Sequence, residues 1–382
     1  MSDGVLVRRE HTVTVNGYDR AAADAEHEYR FDRPSSWAPV DLARVQSDPD
    51  SGPEFLARAD GKRLLYMGKV HWFQGEPESC KTWAALLAAQ HVIALYDRRP
   101  AHIVWIDFED DERTFLERLD AIGIDSATAA KHFTYIRPDE PLADKDGSRG
   151  TQAGAELDRT FDEGADLVVI DGVTEAMTLE GLDLMGNRDI AAWMRLLPKW
   201  IAKEVGAAVV CLDHVVKNGE QRGRFAIGGQ HKLAGVDGAA YSFKTIKPLS
   251  RATGTTEVTG IVQVTIEKDR PGYVRAIADQ GVVAGTLELT AYPDGGLSIS
   301  LELPGGTSAP DATMLMAILE FLDVYDGSST RKITDEIEGK TDTIRAALKW
   351  MTDPERAYVR VEPKGRSHLH WMTARGHQEL GR

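Results

Sequence analysis

The chain has 382 residues, of which 42% are hydrophobic and 27% charged, enough for real cores and, by length, roughly two or three domains. A net charge of −15 argues against a protein that coats nucleic acid uniformly and leaves room only for a local basic surface. Two cysteines far apart in sequence, Cys80 and Cys211, give neither a disulfide framework nor a zinc spacing. The opening MSDGVLVRRE lacks the apolar core of a signal peptide. The longest apolar run, 83–96, is broken by Gln90 and His91 and is too short to span a bilayer. The expectation is a soluble cytoplasmic protein with no membrane partner.

Residues 1–60 are polar, acidic and turn-rich, as in Arg33-Pro34-Ser35-Ser36 and Asp48-Pro49-Asp50-Ser51-Gly52-Pro53. They read as an arm with little structure of its own, either a disordered tail or a subunit-contacting segment anchored by Trp37 and Leu42. From Leu64 onward helix and strand periods alternate: helix 82–96, strand 101–107, helix 112–122, strand 133–136, helix 153–163, strand 166–171, helix 188–204, strand 207–213. Short apolar strands separated by helices predict an α/β core with a mostly parallel central sheet and helices on both faces. Beyond 236, strands at 239–245, 259–268, 286–292 and 297–303 follow one another without helices and are expected to extend the same sheet in antiparallel fashion.

Pro304-Gly305-Gly306-Thr307-Ser308-Ala309-Pro310 is a linker by composition. After it come helix 312–325, a short helix capped by Ser329-Thr330, helix 341–351, and strands 357–361 and 368–371 around the turn Pro363-Lys364-Gly365-Arg366. Three helices and a hairpin resemble a winged helix with that turn at the wing tip. Residues 331–382 carry 11 Lys+Arg against 8 Asp+Glu, a basic end on an acidic chain, so DNA contact is expected from Lys340, Arg345, Lys349, Lys364 and Arg366. A protein-interaction module fits the same pattern. The expected divisions are an arm at 1–60, a core at 61–303, a linker at 304–311 and the winged helix at 312–382.

The chemistry concentrates at 69–85, KVHWFQGEPESCKTWAA. An apolar run with Val70, Trp72 and Phe73 leads into Gly75-Glu76-Pro77-Glu78-Ser79-Cys80-Lys81-Thr82, and a helical pattern begins at once. Strand, glycine-initiated loop and helix form a phosphate cradle, in which backbone N–H groups and the helix dipole face a triphosphate. Lys81 would reach the β- and γ-phosphates, and Thr82 would ligate magnesium. The departure is Cys80, which stands where G-x-x-x-x-G-K-[ST] has its second glycine. A negative φ at the helix start would admit its β-carbon, and the helix terminus beside Lys81 should lower its thiol pKa.

A phosphate loop needs a second magnesium partner, and 165–171, ADLVVID, supplies Asp171 at the end of a buried strand. Gly172 follows it, so no glutamate stands directly beside that aspartate. Glu109, just past strand 101–107, is the candidate general base, with Asp110 and Asp111 capping the next helix. Asp213-His214 ends another strand, and His214 is the candidate γ-phosphate sensor. The glycine-rich loop beyond it carries Lys217, Arg222 and Arg224, with Lys232 nearby, as candidate contacts to a nucleic-acid backbone. Lys268 and Arg270 alternate before Pro271-Gly272 and could reach into a neighbouring subunit's site.

Lys81-Thr82, Glu109, Asp171, Asp213-His214 and Lys268-x-Arg270 occur in the order seen in RecA-fold hexameric helicases. The stretch GEPESCKTWAAL … LVVIDG … DHVVKNGEQRGRFAIGGQHKLAGVDGAAY … EKDRPG resembles the RepA-type plasmid helicases, more loosely the DnaB-type helicases, and most the ATPases of this group in actinobacteria and their phages and mobile elements. Over roughly 60–300 this resemblance implies a RecA-like fold, ATP and magnesium, self-association into a ring such as a hexamer, single-stranded DNA as partner, and trans-acting cations at Lys268 and Arg270. A DNA-binding regulatory switch and a RecA-type recombinase are the alternatives.

Overall fold

A computed structural model describes residues 37–44, 52–96, 99–215, 229–250, 252, 255–304, 312–339, 341–352, 356–365 and 367–381. The chain divides into a unit at 1–50 and a unit at 51–382. In the first, the described residues hold one short 3₁₀ turn, Leu42–Arg44, with Trp37 and Leu42 exposed, so neither anchors a core of that unit.

The second unit begins with a hairpin of β1 (Phe55–Ala57) and β2 (Arg63–Leu65). Phe55, Leu56, Leu64 and Leu65 are buried in the main core, so the folded body starts before the expected boundary at 61. The central sheet is built from β3 (Val70–Gly75), β4 (Ile103–Asp107), β5 (Phe133–Ile136), β6 (Leu167–Asp171), β7 (Ala208–His214), β8 (Ala239–Lys247), β9 (Val258–Asp269), β10 (Val283–Ala291) and β11 (Leu297–Glu302). Its nine strands run in the order β11-β10-β9-β8-β3-β7-β6-β4-β5. The pairs from β8 to β5 are parallel and those from β8 to β11 antiparallel. This is the mostly parallel α/β core expected. One strand differs: β8 pairs parallel to β3, because helix Gly229–Gly235 lies in the crossover from β7. The antiparallel extension therefore starts one strand later, at β9.

Strand periodicity sorts the core into two layers. Phe73, Ile103, Trp105, Leu167, Val169, Ala208, Val210 and Leu212 face α1 (Lys81–Leu95) and α2 (Glu112–Ala121). Val70, Trp72, Val104, Ile106, Val168, Ile170, Val209 and Cys211 face α5 (Val173–Leu179) and α6 (Asn187–Leu196), with α3 (Ser126–His132) and α4 (Gln152–Thr160) on the connections between. Four buried alanines, Ala84, Ala85, Ala88 and Ala89, let α1 lie close on the sheet, and all of its turns but the last are largely buried. The expected single helix at 188–204 is broken at Leu197-Pro198, where proline has no N–H to continue the ladder, and it ends in a π-helical turn, Ile201–Val205.

The C-terminal elements are helices Ala312–Val324, Thr330–Glu336 and Thr341–Met351, a hairpin of Val359–Lys364 and Ser367–Met372, a third short strand Ser328–Ser329, and a final helix Ala374–Glu379. They enclose a small core of their own around Ile318, Leu319, Leu322, Ile333, Ile344 and Leu348. Of the expected linker, only Pro304 lies among the described residues. No helix of the described residues is long and apolar enough to cross a membrane.

Candidate active site

β3 delivers the chain to Gly75, where a β-carbon would lie 2.4 Å from Ser79 Oγ and 2.9 Å from the Phe243 carbonyl oxygen. Only glycine lets the loop fold back this tightly. Pro77 and Glu78 stand exposed at its tip, while Ser79 and Lys81 are buried. Cys80 immediately precedes α1 with φ 64° and ψ 25°, in the left-handed region, and not with the negative φ expected from its position. The position demands a glycine-like backbone, and cysteine adopts it under strain. Its thiol is also contrary to expectation: burial pushes the pKa up to about 11, with Lys81 opposing only in part.

The Lys81 ammonium lies 3.2 Å from the Gly75 carbonyl oxygen, 3.1 Å from that of Glu76 and 3.3 Å from His214 Nδ1. Burial holds its pKa below the ordinary value, against the pull of Asp171, Glu109 and Asp213. Thr82 donates from its hydroxyl to Asp171 Oδ2 at 3.3 Å. β7 stands between the loop strand and β6, so Thr82 reaches Asp171 across an intervening strand, not from an adjacent one.

The carboxylates gather at the C-terminal ends of the parallel strands, where α/β sheets bind ligands. Asp107 and Asp171 are cross-strand neighbours on β4 and β6. Asp107 Oδ1 accepts from the backbone N–H groups of Glu109 at 3.0 Å and Asp110 at 2.9 Å, and Oδ2 from the Tyr135 hydroxyl at 3.1 Å. This turn aims Glu109, whose Oε1 lies 2.9 Å from His214 Nε2. The His214 bond holds the Glu109 carboxyl below its ordinary pKa, and the same bond raises that of His214. Asp111 caps α2, as expected, accepting from Thr114 N–H.

Burial pushes Asp171 up to about 7, with the charges of Asp107 and Glu109 adding to it. A buried acid beside two others, within reach of a hydroxyl, is a place where a divalent cation relieves charge, and these residues fit magnesium. Thr82 and Asp171 would hold it, and when bound it would supply charge neutralisation on phosphate oxygens.

The remaining candidates fall in different places. Lys232, expected to contact nucleic acid, is buried: its ammonium pairs with buried Asp213 at 2.9 Å and lies over the Trp72 ring. That corrects the expectation, since an enclosed amine holds the end of β7 and presents no charge to a ligand. Lys268 donates to the carbonyl oxygens of Leu233 at 2.7 Å, Ala234 at 3.1 Å and Val236 at 2.7 Å, capping helix Gly229–Gly235 within its own chain. Arg270 is exposed just beyond β9, and among the described residues its side chain has no hydrogen bond or ion pair. Lys349 turns toward the core, 3.6 Å from Asp279 Oδ2 and 3.4 Å from the Pro304 carbonyl. Arg345 and Lys364 are exposed. Lys217, Arg222, Arg224, Lys340 and Arg366 lie outside the described residues.

Three contributors were missed in the sequence: Asp107 as the bracket under Glu109, the Asp213–Lys232 pair, and Glu175 in the first turn of α5, whose Oε2 would lie 3.3 Å from a β-carbon on Gly172, with Glu109 Cγ 2.8 Å from the same point. An acid four residues past Asp171, in VTEAM, was the available signal for the last.

A phosphate loop with its lysine and threonine, an aspartate at the end of β6 and a glutamate at the end of β4 define a P-loop ATPase. Residues 43–220 match a family model described as an AAA domain, which supports the same class. No curated protein matches the chain.

Proposed function

We propose that this ATPase is a ring motor acting on single-stranded DNA, a replicative-type helicase of a plasmid, phage or mobile element. One topological observation carries the reading. β9 runs antiparallel to β8 and ends beside its first residues, Ala239 pairing with Asp269, while β8 runs parallel to β3. Lys268 is therefore level with Trp72, partway along β3, and Arg270 with Val70, at the end of the strands opposite the phosphate loop, on the order of 17 Å away at a strand's rise. A cation there cannot serve its own chain's site. It is disposed to serve a neighbour's, and a subunit with its loop at one end of the strands and its cation at the other assembles head to tail, as rings do.

In that assembly Glu109 accepts the proton of the attacking water, Lys81 neutralises phosphate charge in cis, His214 senses the γ-phosphate, and Arg270 completes the neighbouring site. Arg345, Lys364 and the basic segments around them would form a winged-helix DNA contact. The test is turnover together with strand displacement. Lys81→Ala and Glu109→Gln should abolish both, and Arg270→Ala should abolish turnover while sparing ATP binding. Normal turnover in Arg270→Ala would refute the ring. A second reading, an ATP-dependent DNA-binding switch that does not unwind, draws support from Lys268, whose ammonium is already occupied by its own chain. ATPase activity without strand displacement would favour it.

A further inference from the structure

The turn after β9 is fastened more firmly than an exposed connection requires. Strand alternation sends Lys268 and Arg270 to one face and Asp269 to the other. Asp269 Oδ1 accepts from the Tyr66 hydroxyl at 2.9 Å and the Gly272 N–H at 3.1 Å, and Oδ2 accepts from the Arg275 N–H at 2.9 Å. The Tyr66 hydroxyl accepts in turn from the Val274 N–H at 3.1 Å. One carboxylate and one hydroxyl thus hold the backbone N–H groups of Gly272, Val274 and Arg275 from the inside of the turn.

This bracket is itself anchored. Tyr66 is buried, its N–H donates to His71 Nε2 at 2.9 Å, and its ring stacks on that of His71 with centroids 5.9 Å apart. Val274 is buried in the main core. The Arg275 guanidinium donates to the carbonyl oxygens of Gly281 at 2.7 Å and Glu267 at 3.1 Å, which ties the turn back to β9. On the opposite face Lys268 is bonded to helix Gly229–Gly235, and the Arg270 N–H donates to the Gly238 carbonyl oxygen at 3.1 Å. The backbone is therefore held before, at and after Arg270. Its side chain is exposed, with no hydrogen bond or ion pair among the described residues.

We infer that Asp269 is a positioning residue for Arg270: with Tyr66 it fixes the turn 269–275, so that the guanidinium is presented in one attitude to the phosphates of a neighbouring subunit. A backbone fixed on both sides leaves only side-chain torsions to be ordered when the cation meets its phosphate. The inference rests on the ring reading, in which Arg270 acts in trans.

The test combines steady-state ATP turnover, binding of a fluorescent ATP analogue and mixing of variants, all with the full chain. Asp269→Ala should lower kcat on the order of 10²-fold, the cost of a misplaced catalytic group, with KM and analogue affinity unchanged. Mixed with Lys81→Ala, it should recover part of the activity, because it brings an intact phosphate loop and its partner an intact Arg270. A subunit that is merely damaged would neither bind the analogue normally nor complement. Tyr66→Phe deletes one hydroxyl and keeps the ring against His71. It should lower kcat on the order of 10-fold, the worth of one hydrogen bond to a charged group, and be rescued by the same mixing. If Asp269→Ala does not fold, Tyr66→Phe carries the test alone. Wild-type kcat in Tyr66→Phe or in a folded Asp269→Ala would overturn the positioning role. So would failure of both to recover with Lys81→Ala under conditions where Arg270→Ala does. Normal turnover in Arg270→Ala would instead overturn the ring reading on which the inference rests.

Discussion

Cys80 is a residue whose chemistry and conformation pull apart. Its left-handed backbone is what turns the loop's N–H groups toward a phosphate, and a β-carbon there costs about 1 kcal/mol. Cys80→Gly should therefore raise the stability of the nucleotide-free protein by up to about 1 kcal/mol, less the backbone entropy that glycine gains when unfolded, read as a higher melting temperature. With its thiol near 11, Cys80 should alkylate with maleimide more slowly at pH 7 than a free cysteine, and faster as pH rises. Asp171 shows the opposite trade, function held at a cost in stability. Its folded pKa, about 7, lies above the ordinary 3.8, so the folded state keeps a proton that the unfolded chain releases. Stability is therefore lost as pH rises from about 4 through 7. Asp171→Asn should melt higher than wild type at pH 8, converge with it near pH 4, and have no turnover. Equal melting differences at both pH values would refute this account.

At the scale of elements, the site depends on strand ends and the first residues after them. Gly172 must be bare, because a β-carbon there meets Glu109 at 2.8 Å and φ 89° already disfavours one. Gly172→Ala should displace Glu109 and cut kcat more than it raises KM, measured as steady-state turnover. The end of β7 is held by the enclosed Asp213–Lys232 pair. Removing one partner, as in Lys232→Met, leaves a buried charge alone and should destabilise by about 3–5 kcal/mol in denaturant melts. Strands were legible where four or five apolar residues end in an acid, as in LVVID and IVWID, because a strand covered on both faces must be apolar throughout. Helix 188–204 was less so, since its amphipathic period continues through Pro198 while its hydrogen bonds do not. Glu175 was not legible, because an acid in a helix's first turn looks like an ordinary dipole partner until Glu109 is placed against it.

For the whole molecule, the phosphate loop and Arg270 lie at opposite ends of the strands, which makes the number of copies per site a testable question. If a site needs two chains, Lys81→Ala and Arg270→Ala subunits, each inactive alone, should recover part of the activity when mixed. The interface between an intact loop and an intact arginine then reappears in some rings. No recovery, with mixed assembly shown by mass photometry, would argue against a shared site. The neighbouring Lys268 sharpens the same point, since its ammonium must leave three carbonyls of its own chain before it can reach another.

Local sequence alone determined the phosphate loop, the order of strand and helix, and the residues Lys81, Thr82, Glu109, Asp171 and His214, because loop chemistry and strand periodicity act over a few neighbouring residues. Tertiary structure decided what depends on distant segments meeting. It put Cys80 in a left-handed backbone with a buried thiol, enclosed Lys232 against Asp213, turned β8 parallel to β3, and set Glu175 over Gly172 against Glu109. Burial and pairing fix a side chain's charge and role, and neither is a property of the residue before the sheet brings its strands together.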